Sequence, residues 1–180
     1  MKISLGWRRT RKAQWAGALE DLVLPAGPRT PGVLLHEYVR QVRKNRLVLT
    51  RDPMIATPGG PSGAWVASQG VDLVWVHPAA GGVQFGHVIG HELGHMINGD
   101  EPDPVDLTTL TRMLQSVFVN VSPGLLGRSL GLCRTDFGED REQRAEEFAY
   151  FAEEWLGRSP QGGGDLFTNL KNSLETRRPW

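Results

Sequence analysis

The sequence predicts an α+β domain: a small antiparallel sheet packed with one histidine-bearing helix and further helices. Three observations lead there. Ala64-Trp-Val-Ala-Ser68 and Val71-Asp-Leu-Val-Trp-Val76 are strand-like runs joined by Gln69-Gly70, as in a hairpin. Residues 84–98 then switch to helical periodicity and carry a His-Glu-x-x-His pattern. A second long helical run covers residues 140–156.

The elements follow in order. Residues 11–22 offer one helix before Pro25, Gly27, Pro28, Pro31 and Gly32 break the chain. Leu34, Leu35, Tyr38, Val39 and Val42 are at helical spacing, which predicts an amphipathic helix over residues 33–44. Residues 46–50 form a short strand, and the turn-rich run to Gly63 leads into the hairpin. The helix over 84–98 is stopped by Gly99. Residues 107–119 predict another helix, and residues 122–138 are glycine-rich. The helix over 140–156 follows, and Leu166, Leu170 and Leu174 mark a short helical stripe within 165–175. The organisation read from this is a basic N-terminal arm (1–30), a central domain (31–158) and a C-terminal tail (159–180).

Composition bounds the function. With 180 residues, 39% hydrophobic and 22% charged, the chain is neither disordered nor a coiled coil. No apolar run approaches the roughly 18 residues that span a bilayer, and no apolar segment follows the charged start, so neither a membrane anchor nor a secretory signal is expected. A lone Cys133 fits a reducing cytoplasm and a small core residue. The neutral total conceals an asymmetry: residues 1–51 hold 11 Lys and Arg against three acids, a net +8, and the rest is −8. Direct contact of that basic end with nucleic acid is the less favoured reading, because neither a finger motif nor a helix-turn-helix accompanies it. The basic end facing the protein's own acidic half is preferred.

His91 and His95, at i and i+4, project from one side of a helix and can bind one Zn²⁺ per chain. Glu92 between them is the candidate general base for a metal-activated water. Phe85, Val88, Ile89, Leu93, Met96 and Ile97 fill the opposite, core-facing arc. Gly86, Gly90 and Gly94 form a third stripe. Each costs about 1 kcal/mol relative to alanine in a helix, so another backbone is expected to approach that face. Two histidines need a third ligand, and no third histidine stands at a suitable spacing downstream. A carboxylate from residues 140–156 is expected instead. There Ala145, Phe148, Ala149, Ala152, Trp155 and Leu156 make the buried stripe, with Glu142 and Glu146 along its edge and Glu147 and Glu154 towards water. Glu142 lies about 40° nearer the stripe's centre than Glu146 and is expected to be the more occluded.

His91-Glu-Leu-Gly-His95 followed by Glu142-Gln-Arg-Ala145-Glu146-Glu-Phe148-Ala149 resembles the ImmA/IrrE metallopeptidases, over about residues 31–158. The resemblance implies zinc bound by His91, His95 and Glu142, with Glu92 as base and Glu146 orienting a ligand histidine. It also implies a bacterial or mobile-element protease that acts on a protein partner such as a DNA-binding repressor. Glu146 stands where the family has Asn or Asp, and the family's Leu-Met-Pro helix ending is replaced by Glu153-Glu-Trp-Leu-Gly157. The alternative is a zinc-containing regulatory module that controls its partner without cutting it.

Other residues are weighed beside these. His87, one turn before His91, is expected to pack or to support the ligands, because three ligands along one helix would stretch over about 12 Å. His77 and Tyr150 are candidate contacts to a substrate carbonyl or its oxyanion. His36-Glu37 lacks a second histidine four residues on.

Overall fold

The computed structural model describes residues 4–51, 53, 56, 60–68, 70–102 and 138–158. Helix α1 spans Ser4–Glu20 and α2 spans Pro31–Tyr38. Thr30 caps α2 by accepting the Val33 N–H at 3.3 Å, with Pro31 in the first turn. The helix continues as a π-helical turn, Val39–Arg43, and ends at Lys44 in the left-handed region (φ 60). Strands β1 (Arg46–Thr50), β2 (Gly63–Ser68) and β3 (Val71–Val76) follow, then α3 (Gly82–Asn98) and α4 (Glu139–Arg158). The fold is α+β, as the sequence predicts. The helices expected over 107–119 and 165–175 lie outside the described residues.

The hairpin forms as expected, with β2 antiparallel to β3 and Gly63 opposite Val76. The first strand extends it differently. β1 pairs parallel with β3, Arg46 opposite Val71, giving a mixed sheet in the order β1-β3-β2 rather than a wholly antiparallel one. Asp72 to Val76 of central β3 are all buried, Asp72 included. A buried carboxylate needs donors, and Asp72 has four. Arg43 Nε and Nη2 reach it at 2.7 and 2.8 Å, Asn45 Nδ2 at 2.9 Å and Trp65 Nε1 at 2.9 Å. The π turn, the residue before β1 and strand β2 are thereby tied to one charge.

Val88, Ile89, Leu93 and Met96 of α3 are buried, with Phe85 and Ile97 partly covered. They meet Leu34, Leu35 and Val39 from the α2 side, and Val74 and Val76 from the sheet. α4 adds Phe148, Ala152 and Leu156. The N-terminal segment read as a basic arm also enters this core, through Trp15, Leu19 and Leu22. Trp15 stands edge-on to Phe148 at 5.5 Å and donates its Nε1–H to Asn98 Oδ1 at 3.0 Å. Glu147, expected to face water, pairs with Arg11 of α1 at 3.2 Å. Among the described residues no helix is long and apolar enough to cross a membrane.

Candidate metal centre

The site lies where α3 and α4 touch, and glycines set how close they come. A methyl group at Gly94 would lie 3.0 Å from both Cα and the carbonyl oxygen of Ala145, and one at Gly90 would lie 3.4 Å from Ala149 Cα. The approaching backbone that the glycine stripe predicts is therefore α4, whose small residues Ala145 and Ala149 complete the contact. The third glycine, Gly86, faces Pro31 instead, 3.5 Å from its ring to the missing Cβ.

That contact lays the first turns of α4 over the histidine pair. His91 Nε2 and His95 Nε2 are 3.1 Å apart. Glu142 Oε2 stands 3.3 Å from His91 Nε2, and its Oε1 stands 3.7 Å from His95 Nε2. Donors held 2.0–2.1 Å from a tetrahedral ion lie about 3.3 Å from one another. The three side chains thus present one donor each within 4.8 Å, and this group could hold a metal ion. Two imidazoles and a carboxylate leave a fourth tetrahedral position for water or a substrate oxygen.

The occlusion expected of Glu142 is not found. Its side chain is 48% exposed and that of Glu146 is 44% exposed, so burial does not separate them. What differs is position. Glu142 spans the two Nε2 atoms, while Glu146 sits behind His91, its Oε2 3.4 Å from Nδ1.

His95 has a matching support that the sequence reading missed. Asp100 Oδ2 is 2.9 Å from His95 Nδ1. Gly99 makes this geometry: in the left-handed region (φ 73) it turns the chain at the end of α3, and the Asp100 N–H bonds back to the His95 carbonyl at 3.0 Å. Arg144 Nη2 holds Asp100 Oδ1 at 3.1 Å. Arg141 Nε lies 3.3 Å from the same His95 Nδ1, but a carboxylate at 2.9 Å cannot face a lone pair, so the proton belongs on Nδ1. Arg141 instead donates to the Glu101 carbonyl at 2.6 Å and flanks Asp100 at 3.8 Å. With each Nδ1–H given to a carboxylate, each Nε2 lone pair is left for a metal. Burial also holds His95 below the usual imidazole pKa, aided by His91 and Arg141 and opposed by Asp100 and Glu142. The neutral form it favours is the form that ligates. An acid just beyond the glycine stop, five residues after the second histidine, is the signal that marks Asp100 in the sequence.

Glu92 is buried beside this donor group, on α3. Its side chain runs towards the start of β2, where a methyl at Gly63 would come within 2.8 Å of Oε1. His77 lies in the turn after β3, edge-on to Trp75, with Nδ1 accepting the Ala79 N–H at 3.1 Å. Tyr150 is 60% exposed, two turns beyond Glu142, with its ring 4.9 Å from that of His87. The structure brings His91, His95, Glu142 and Glu146 together, and none of these contacts of His77 or Tyr150 reaches them. His36 bonds to neighbouring Glu37 at 3.2 Å. Cys133 lies outside the described residues. No family model matches the chain, and no curated protein or solved structure matches it.

Proposed function

We propose that the protein is a zinc-dependent peptidase, with one Zn²⁺ per chain held by His91, His95 and Glu142 and with Glu92 as general base. The convergence of the three donors beside a buried Glu92 carries this reading. Two nitrogens and one carboxylate with an open position form a donor set of the catalytic zinc type, and a purely structural zinc site ordinarily has four protein ligands. A zinc ion held by these three side chains would supply a water of pKa near 7 and would polarise a carbonyl.

The chain's own residues do the rest. Asp100 and Glu146 keep the imidazoles turned, and Glu92 takes a proton from the attacking water. Glu92 then delivers that proton to the leaving amine nitrogen as the C–N bond breaks. A substrate has a place to lie: β2 is an edge strand among the described residues and begins at Gly63 beside Glu92, so an extended peptide could add to it. The partner favoured by the sequence resemblance is a regulatory protein such as a DNA-binding repressor.

Glu92→Gln tests the assignment. It removes the base but keeps both histidines and the side-chain volume, so metal and fold should persist while proteolysis of a candidate repressor drops by roughly 10²–10⁴-fold. If the variant's regulatory effect on that partner is undiminished, the protein acts as a zinc-containing regulatory module rather than a peptidase.

A further inference from the structure

We propose that His87 is a positioning residue for the metal centre, a link in the hydrogen-bonded chain that runs from Glu153 through His87 and Glu146 to His91. The inference rests on the metal-binding reading of the site and not on its being a peptidase.

The geometry is continuous. His87 Nδ1 is 3.1 Å from Glu153 Oε1, and His87 Nε2 is 3.1 Å from Glu146 Oε1. The other oxygen of Glu146, Oε2, faces His91 Nδ1 at 3.4 Å. Carboxylates only accept, so both ring nitrogens of His87 must donate, and a neutral imidazole has one N–H. His87 is therefore held as the cation. Burial disfavours that form, but the hydrogen bonds to Glu146 and Glu153 outweigh it and raise the pKa above the ordinary imidazole value. The Tyr150 ring packs on one side of the imidazole.

The clamp acts on Glu146. A glutamate that is 44% exposed has several rotamers open to it, and its bond to His91 survives only if the carboxylate is fixed. His87 fixes it by occupying Oε1 from α3, one turn before His91. Glu146 then has only Oε2 free to accept the His91 Nδ1–H, which sets that ring's tautomer and aims Nε2 at the metal. This also suggests a use for the longer glutamate at position 146, which must reach two histidines on the facing helix at once.

A double-mutant cycle on the full-length protein tests the chain. Zinc affinity is measured by chelator competition for wild type, His87→Gln, Glu146→Ala and the double variant, with urea unfolding of the zinc-free proteins beside it. Removing Glu146 should weaken zinc binding 10–100-fold, and removing His87, one bond further out, by about 3–10-fold. In the Glu146→Ala background the His87 substitution should change affinity by less than about 2-fold, because the link through which it acts is gone. Glu153→Gln should weaken zinc in the same direction as His87→Gln and by less, and it gives the same reading if His87→Gln fails to fold. Equal losses in both backgrounds, or unchanged affinity in His87→Gln and Glu153→Gln alike, would overturn the proposal and leave His87 a packing residue. A wild type that binds no zinc would remove the metal centre itself, an outcome distinct from an additive cycle.

Discussion

Gly94→Ala is the sharpest probe of how the two helices make the site. In an isolated helix the change gains about 1 kcal/mol. Here the new Cβ meets Ala145 Cα and its carbonyl oxygen at 3.0 Å and Phe148 Cβ at 3.1 Å. Comfortable carbon contacts lie at about 3.5–4.0 Å, so α4 must retreat by roughly 0.5 Å. Overpacking of that kind costs about 1–3 kcal/mol, which leaves a net loss of about 0–2 kcal/mol. Gly86→Ala meets only the Pro31 ring at 3.5 Å, an ordinary contact, and should keep most of the helical gain. Gly90→Ala, at 3.4–3.5 Å from Ala149, should fall between them. Because α4 carries Glu142, its retreat exceeds the ~0.2 Å spread tolerated in ligand distances. Zinc affinity should therefore fall about tenfold for Gly94→Ala, a loss the size of a missing supporting hydrogen bond, and stay unchanged for Gly86→Ala. Urea unfolding and chelator competition on the three variants read both quantities. If Gly94→Ala matches Gly86→Ala in stability and affinity, the close approach of α4 does not build the site.

Three further outcomes follow from the same geometry. Asp100→Asn should keep the fold and weaken zinc binding 10–100-fold, since an amide is a poorer acceptor for the His95 Nδ1–H; a zinc titration checks it. Glu142→Ala should weaken zinc far more than Glu146→Ala, and the reverse order in the same titration would move the ligand one helical turn along. In zinc-free protein, the lowered pKa of His95 makes its contribution full above about pH 6.5 and lost as pH falls, whereas the raised pKa of His87 makes its contribution full below about pH 6.5 and lost as pH climbs through that pKa. His95→Gln should thus flatten the acid side of the urea-unfolding pH profile and His87→Gln the alkaline side.

The legible parts of this protein are those where periodicity and covalent spacing act locally. Two histidines at i and i+4 share a face in any helix, and a glycine stripe beside them announces a close neighbour; Gly90 and Gly94 found it in α4. The hairpin was legible from Gln69-Gly70 between two apolar runs. What escaped depends on distant pairing. Asp72 breaks the apolar run of β3, and its partners Arg43, Asn45 and Trp65 come from the π turn, the residue before β1 and strand β2. The parallel pairing of β1 leaves no mark on its own five residues. A helical wheel gives the direction of Glu142 but not the extent of what covers it, so its carboxylate stands beside both histidines yet is about half exposed. The basic residues of the N-terminal segment likewise hid Trp15, Leu19 and Leu22, spaced at four and three residues along the buried face.

Metal content tests the central claim most directly. Purified wild-type protein, dialysed against zinc-free buffer and analysed by elemental mass spectrometry, should retain about one zinc per chain and lose it to a strong chelator. The doubly substituted His91→Ala, His95→Ala protein, checked for folding by circular dichroism, should retain none. A folded double variant that keeps the full equivalent would place the metal elsewhere and contradict the account.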